Sequence, residues 1–194
     1  VSGLFCVILT AKEKLSGWVF GIINAVFFFV MFYQVQLYSD MLLQIYYFLM
    51  SIYGFWKWSH PKYKINKKAQ LKVTLMNKKI LLINMVIIFI LVIILGLLMK
   101  NIHFALPKIF PNPASFPFGD AFTTIMSINA QIFMTHKKRE SWLMWVAVDI
   151  VAMIIYFIKG IHLVAIEYII FGIISVFGFY SWNRSYCNDL KESK

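Results

Sequence analysis

The sequence predicts an all-α integral membrane protein, with seven transmembrane helices built as two parallel three-helix repeats joined by a linking helix. Three observations predict it. Charged residues are 14% of the 194 and hydrophobic ones 61%, where a soluble domain carries about 25% charged. Some seven stretches approach the roughly 20 apolar residues of a spanning helix, and none alternates over about ten positions as a membrane strand does. Finally, a shift of 124 residues lays Ser51-Ile-Tyr-Gly-Phe-Trp-Lys-Trp58 over Ser175-Val-Phe-Gly-Phe-Tyr-Ser-Trp182, Trp18 over Trp142, and Lys12-Glu-Lys14 over His136-Lys-Lys138.

The first repeat takes residues 1–58. Its first apolar run, ending near Thr10, is short and does not read as a signal peptide; the chain is expected to begin partway into this helix. A second helix runs over 16–33, with Gly17, Gly21, Asn24 and Phe28 on one face. The small pair there suits close helix packing, and Asn24 is the odd polar member. The third helix, 37–58, carries Asp40, Gln44, Tyr47, Ser51, Gly54 and Trp58 on one stripe, at spacings that interhelical packing explains as readily as a ligand does. Asp40 falls in the first turn, where the helix dipole stabilises a carboxylate.

Residues 59–79 form a basic loop. Residues 80–99 form the linking transmembrane helix, whose only polar side chain is Asn84 and which is expected to face lipid. Pro107, Pro111, Pro113 and Pro117 make 100–118 a loop. The second repeat spans 119–182. Its first helix, 119–135, aligns Thr124, Ser127, Gln131 and Thr135; its second opens at Glu140; its third, 161–182, aligns Tyr168, Phe171, Ser175, Gly178 and Trp182. Residues 183–194 are expected to be a frayed cytoplasmic tail. Glu167 is expected to pair with Lys159 or with a neighbouring helix.

Charge sets the orientation. Residues 12–14, 57–79, 137–139 and the tail hold sixteen of the nineteen lysines and arginines. Placing these loops on the cytoplasmic side puts the N-terminus outside and the C-terminus inside. That grouping also explains the net charge of +11 without nucleic acid. Cys6 and Cys187 have no metal or redox spacing and receive no role.

The candidate site centres on the helix after Glu140. Trp142, Trp145, Asp149 and Tyr156 share one of its faces, and Asp149 lies at its middle. A carboxylate at bilayer depth is costly and marks a functional position by default; parallel repeats in transporters hold substrate near that depth. Trp142 and Trp145 lie where interfacial aromatic belts also occur, and Tyr156 reads as belt. Trp142 has a repeat partner in Trp18 and so serves the fold as well as the site.

The runs LYSDMLLQIYYFLMSIYGFWKW (37–58) and ESWLMWVAVDIVAMIIYFIKG (140–160) resemble the PnuC family of bacterial vitamin transporters, in its nicotinamide riboside branch. The likeness covers nearly the whole chain. It is most specific at Tyr38, Asp40 and Gln44 and at the E-x-W-x-x-W-x-x-x-D run of 140–149. Two features depart from the family pattern: the motif at Gly17-Trp18-Val-Phe-Gly21 lacks its proline, and the small residue after Tyr38 is Ser39.

The resemblance implies a SWEET-like fold in the bacterial inner membrane, with the lipid bilayer and further copies in a trimer as its partners. It implies facilitated diffusion of nicotinamide riboside by alternating access, made net by a cytoplasmic riboside kinase, with no cofactor. A flat pyridinium bearing an amide and a ribose suits Trp142, Trp145, Tyr47 and Tyr168 for stacking. It also suits Asn24, Gln44 and Gln131 for paired donors and acceptors, with Asp40 and Asp149 as acids. Thiamine, another flat cation, fits the same chemistry. A membrane-embedded enzyme is the weaker alternative, since His60, His103, His136 and His162 sit at helix ends or in loops with no ligand spacing. A channel, which favours rings of like charge or carbonyls, is weaker still.

Overall fold

A computed structural model describes residues 2–34, 38–60, 71–105 and 114–192. The side chains of Phe32, Tyr38, Ser39, Asp40, Leu42 and Glu192 lie outside that description. Seven helices occur among the described residues: α1 (Ser2–Ala11), α2 (Ser16–Gln34), α3 (Tyr38–Ser59), α4 (Lys78–Ala105), α5 (Pro117–Thr135), α6 (Ser141–Ile158) and α7 (His162–Glu192). Of these, α4, α6 and α7 are long and apolar enough to cross a membrane, while Ser2–Ala11 and Ser16–Met31 are shorter apolar helices.

Three helices differ in their bounds from expectation for identifiable reasons. Helix α4 takes Lys78–Ala105 where 80–99 was expected, and so runs into the expected 100–118 loop. The first proline, which disfavours helix at the residue before it, comes only at Pro107. Helix α5 begins at Pro117, two residues early; proline suits the first helical position because the N–H it lacks has no partner there. Helix α7 runs on to Glu192 where a frayed tail was expected. Its extension is tied down: Arg139 Nη1 donates to Asn183 Oδ1 at 2.6 Å, and Lys72 lies 3.7 Å from Asp189.

The chain divides into two compact units. The first takes Val1–Leu75, Gln131–Leu143 and Ile174–Lys194, and the second takes Met76–Ala130 and Met144–Ile173.

In the first unit α2 packs against both α1 and α3. Its core is a row of four tryptophans. Trp18 meets Trp58 edge-on at 5.2 Å, Trp58 meets Trp182 at 5.9 Å, and Trp182 meets Trp142 edge-on at 5.4 Å. None is more than 6% exposed. Two glycines make room for them. A Cβ on Gly54 would lie 2.5 Å from the Trp18 ring, and one on Gly178 would lie 2.6 Å from the Trp142 ring.

Two turns of this unit, 124 residues apart, share the same pair of capping bonds. Glu13 N donates to Thr10 O at 2.9 Å and Lys14 N to Leu9 O at 2.9 Å; Lys137 N donates to Met134 O at 3.0 Å and Lys138 N to Phe133 O at 2.9 Å. Both are Schellman turns, with Glu13 (φ 57°) and Lys137 (φ 49°) in the left-handed position where glycine is usual. Each turn also lends a carbonyl to a tryptophan from the other half of the sequence. Trp58 Nε1 donates to Thr135 O at 3.2 Å and Trp182 Nε1 to Thr10 O at 3.3 Å. An extended segment crosses the second turn, where Thr74 N donates to Lys137 O and Arg139 N to Thr74 O.

In the second unit Asn77 caps α4 through Lys79 N. Most of the α4 surface is apolar and exposed, with Ile88 and Gly96 buried. Asn84, the polar residue of that helix, donates to Asn129 Oδ1 at 3.2 Å, a hydrogen bond between helices of the sort that replaces water inside a bilayer. Helix α6 closes at Gly160 (φ 73°), again in a Schellman turn. Lys159, one of the two partners expected for Glu167, pairs with Asp120 of α5 at 3.7 Å.

Candidate functional site

The nine candidate residues divide between the units. Asn24, Gln44, Tyr47, Gln131 and Trp142 belong to the first, Trp145, Asp149 and Tyr168 to the second, and the Asp40 side chain lies outside the described residues.

In the first unit, Asn24 Oδ1 accepts a hydrogen bond from Ser2 Oγ at 2.8 Å, which joins α2 to α1. Gln44 lines a small cavity of about 220 Å³ with Ala25, Val26, Phe29, Ile45 and Phe48. Its amide is the one group there with two donors and an acceptor. Tyr47 is half-buried against Tyr46 at 5.6 Å. Gln131 is half-buried on α5. Trp142 is fully buried, one edge on Trp182 and one face on Gly178, with its Nε1 buried and unpartnered.

In the second unit, Asp149 is 4% exposed at the middle of α6, facing α7 where a Cβ on Gly172 would lie 3.6 Å from its own Cβ. The missing side chain at Gly172 leaves α7 without bulk opposite the acid. Trp145 stands one turn before Asp149 on the same face; its ring is half-buried while its Nε1 is buried with no partner. Tyr168 stacks on Tyr156 at 5.5 Å and 12° and meets Phe171 edge-on. The buried side of α6 is completed by Met144, Val148, Ala152 and Ile155, and Leu143, Ile150, Ile154 and Phe157 are exposed on the other.

A charged centre that the sequence did not single out lies in the first unit. Lys137 is 2% exposed, its Nζ 2.6 Å from Glu13 Oε2 and 4.6 Å from the Trp58 ring centroid. Burial pushes the Lys137 ammonium below its ordinary pKa, against the opposing pull of Glu13. The 124-residue register had aligned these two positions, and their opposite charges were the unread signal.

Comparison with known proteins places this architecture. The family model for the nicotinamide mononucleotide transporter matches residues 1–184. The nicotinamide riboside transporter PnuC of Escherichia coli is 31% identical over 95% of this chain and 83% of its own length. Its namesake from Haemophilus influenzae is 26% identical over 95% of this chain and 76% of its own. The crystal structure of the vitamin B3 transporter PnuC shares the fold, with a TM-score of 0.68 at 22% identity over 97% of this chain and 80% of that one. A model matched over nearly the whole sequence, a relative above 30% identity and a common helical fold have one consequence: the chain belongs to the nicotinamide mononucleotide transporter family.

Proposed function

We propose that this membrane transporter carries nicotinamide riboside by facilitated diffusion, with Asp149 as the acid that holds the cationic substrate. The observation that carries the reading is a carboxylate buried at mid-helix in α6, opposite a glycine, in a chain whose relatives are riboside transporters. Trp145 and Tyr168 supply aromatic surface in the same unit as Asp149. Trp142 enters as a residue of the fold, because its ring is taken up by Trp182 and Gly178.

The charge of Asp149 also separates two related substrates. The riboside is a cation, whereas the mononucleotide adds a phosphate that a buried carboxylate repels. Helices α1–α3 and α5–α7 form the two repeats in this proposal, α4 links them, and the basic loops face the cytoplasm with the N-terminus outside. Phosphorylation by a cytoplasmic kinase keeps uptake net, and the protein works as a trimer.

Titration of the purified protein with riboside, mononucleotide, thiamine and riboflavin tests the substrate. The riboside is expected to bind at least about tenfold more tightly than the others, a difference of roughly 1.4 kcal/mol. Tight thiamine binding with none of the riboside sinks the reading. In liposomes, riboside uptake is expected to be indifferent to a pH gradient, because the spanning segments offer Asp149 no second mid-depth acid or histidine for a proton relay. Accumulation driven by such a gradient contradicts facilitated diffusion.

A further inference from the structure

The Glu13–Lys137 pair combines three features that stability alone does not explain. First, both residues stand in left-handed backbone, which is unfavourable for any side chain with a Cβ. At its third turn of this kind the chain uses Gly160. Strain kept at a polar position is a sign of function. Second, a buried ion pair roughly breaks even against apolar residues of the same size, so burying Lys137 at 2% exposure gains the fold little. Third, the pair borders an open cavity of about 710 Å³, lined among others by Lys12, Lys14, Trp58 and Ser59. Water is therefore at hand to receive both charges when they part.

The pair also occupies equivalent places in two like turns, 124 residues apart. Those turns exchange tryptophan hydrogen bonds, Trp58 to Thr135 O and Trp182 to Thr10 O. Like charges at such facing positions would repel; here one is an acid and the other a base.

We infer that Glu13 and Lys137 are a charge latch of the transport cycle, which holds the α1–α2 turn to the α5–α6 turn in the arrangement seen here and parts when this end opens. The inference rests on the transporter reading. Both are positioning residues, acting on the equilibrium between states without touching substrate. A pair set beside water can open and reclose, as an apolar plug would not.

The test uses the full chain with Cys6→Ala and Cys187→Ala, and a reporter at Ser141→Cys, a position 0% exposed at the end of the second turn. Labelling by a polar maleimide in detergent reads opening, and uptake into liposomes reads transport. Lys137→Met and Glu13→Gln are expected to raise the labelling rate about tenfold, the shift a latch of modest strength imposes on a two-state equilibrium. They lower maximal uptake and leave the half-saturating concentration within about twofold.

Exchanging the charges, Glu13→Lys with Lys137→Glu, is expected to restore slow labelling and uptake, because both turns have the same backbone. The Glu13→Gly, Lys137→Gly double variant relieves both left-handed positions and leaves no unpaired charge, so it folds, yet it is expected to label fast. A double-glycine variant that labels and transports like the parent overturns the latch, as does a charge exchange no better than the single reversals at unchanged melting temperature. Absence of riboside uptake by the parent overturns the substrate reading instead; labelling, which needs no substrate, still decides the latch.

Discussion

Asp149→Asn is expected to weaken riboside binding on the order of a hundredfold while leaving the protein folded. The amide keeps the shape of the side chain and its place opposite Gly172, but it removes the charge. A unit charge roughly 6 Å from a pyridinium, at an effective dielectric constant near 20, contributes about 3 kcal/mol. Folding loses less, because burying a carboxylate is itself costly and the neutral amide avoids that cost. The dihydro form of the riboside separates charge from hydrogen bonding. It has the same ribose and amide without the positive ring, so Asp149→Asn should change its affinity by less than about threefold, well under 1 kcal/mol. Equal losses for both ligands would show that Asp149 holds ribose hydroxyls and not the ring. No loss for either removes Asp149 from the site.

Asp149 was readable in the sequence because a carboxylate in an apolar helix has few structural uses, and any helical count places it at mid-helix. The helices were readable for a similar reason, since long apolar runs in a chain with few charges have little alternative to a helix, though their ends are less determined: α4 passes Lys100 and stops only at Ala105. The partners of each candidate were not. Trp142 and Trp145 look alike in sequence, three residues apart on one face. The structure separates them by what lies opposite: Gly178 and Trp182 receive Trp142, while Trp145 keeps a half-buried ring. The same holds for Glu13 and Lys137. A lysine in a basic loop reads as a topology signal, and only the fold of the two turns shows it buried against an acid 124 residues away. The tail after Asn183 misled for the converse reason, its polar composition hiding anchors supplied by Arg139 and Lys72.

Trp182→Ala is expected to cost the largest stability of any single substitution in the first unit. Trp182 is one of the two inner members of the tryptophan row and is fully buried, in contact with Trp58 on one side and Trp142 on the other. Truncating a buried tryptophan costs about 3–5 kcal/mol in lost transfer and cavity terms. Removing the indole N–H also strips the Thr10 carbonyl of this donor, a further 1–3 kcal/mol or so if no water replaces it. Against the roughly 5–15 kcal/mol that holds a typical domain, such a loss leaves much of the protein unfolded. Trp182→Phe separates the two contributions, because it keeps most of the ring contact and deletes the hydrogen bond. It is expected to fall between parent and alanine variant in thermal unfolding in detergent. Trp145→Ala serves as the contrast: its ring is half-buried, so the melting temperature should move far less while riboside affinity falls. If Trp182→Ala melts within about a degree of the parent, the row is not the core of the unit, and neither Gly54 nor Gly178 is small for the sake of a tryptophan.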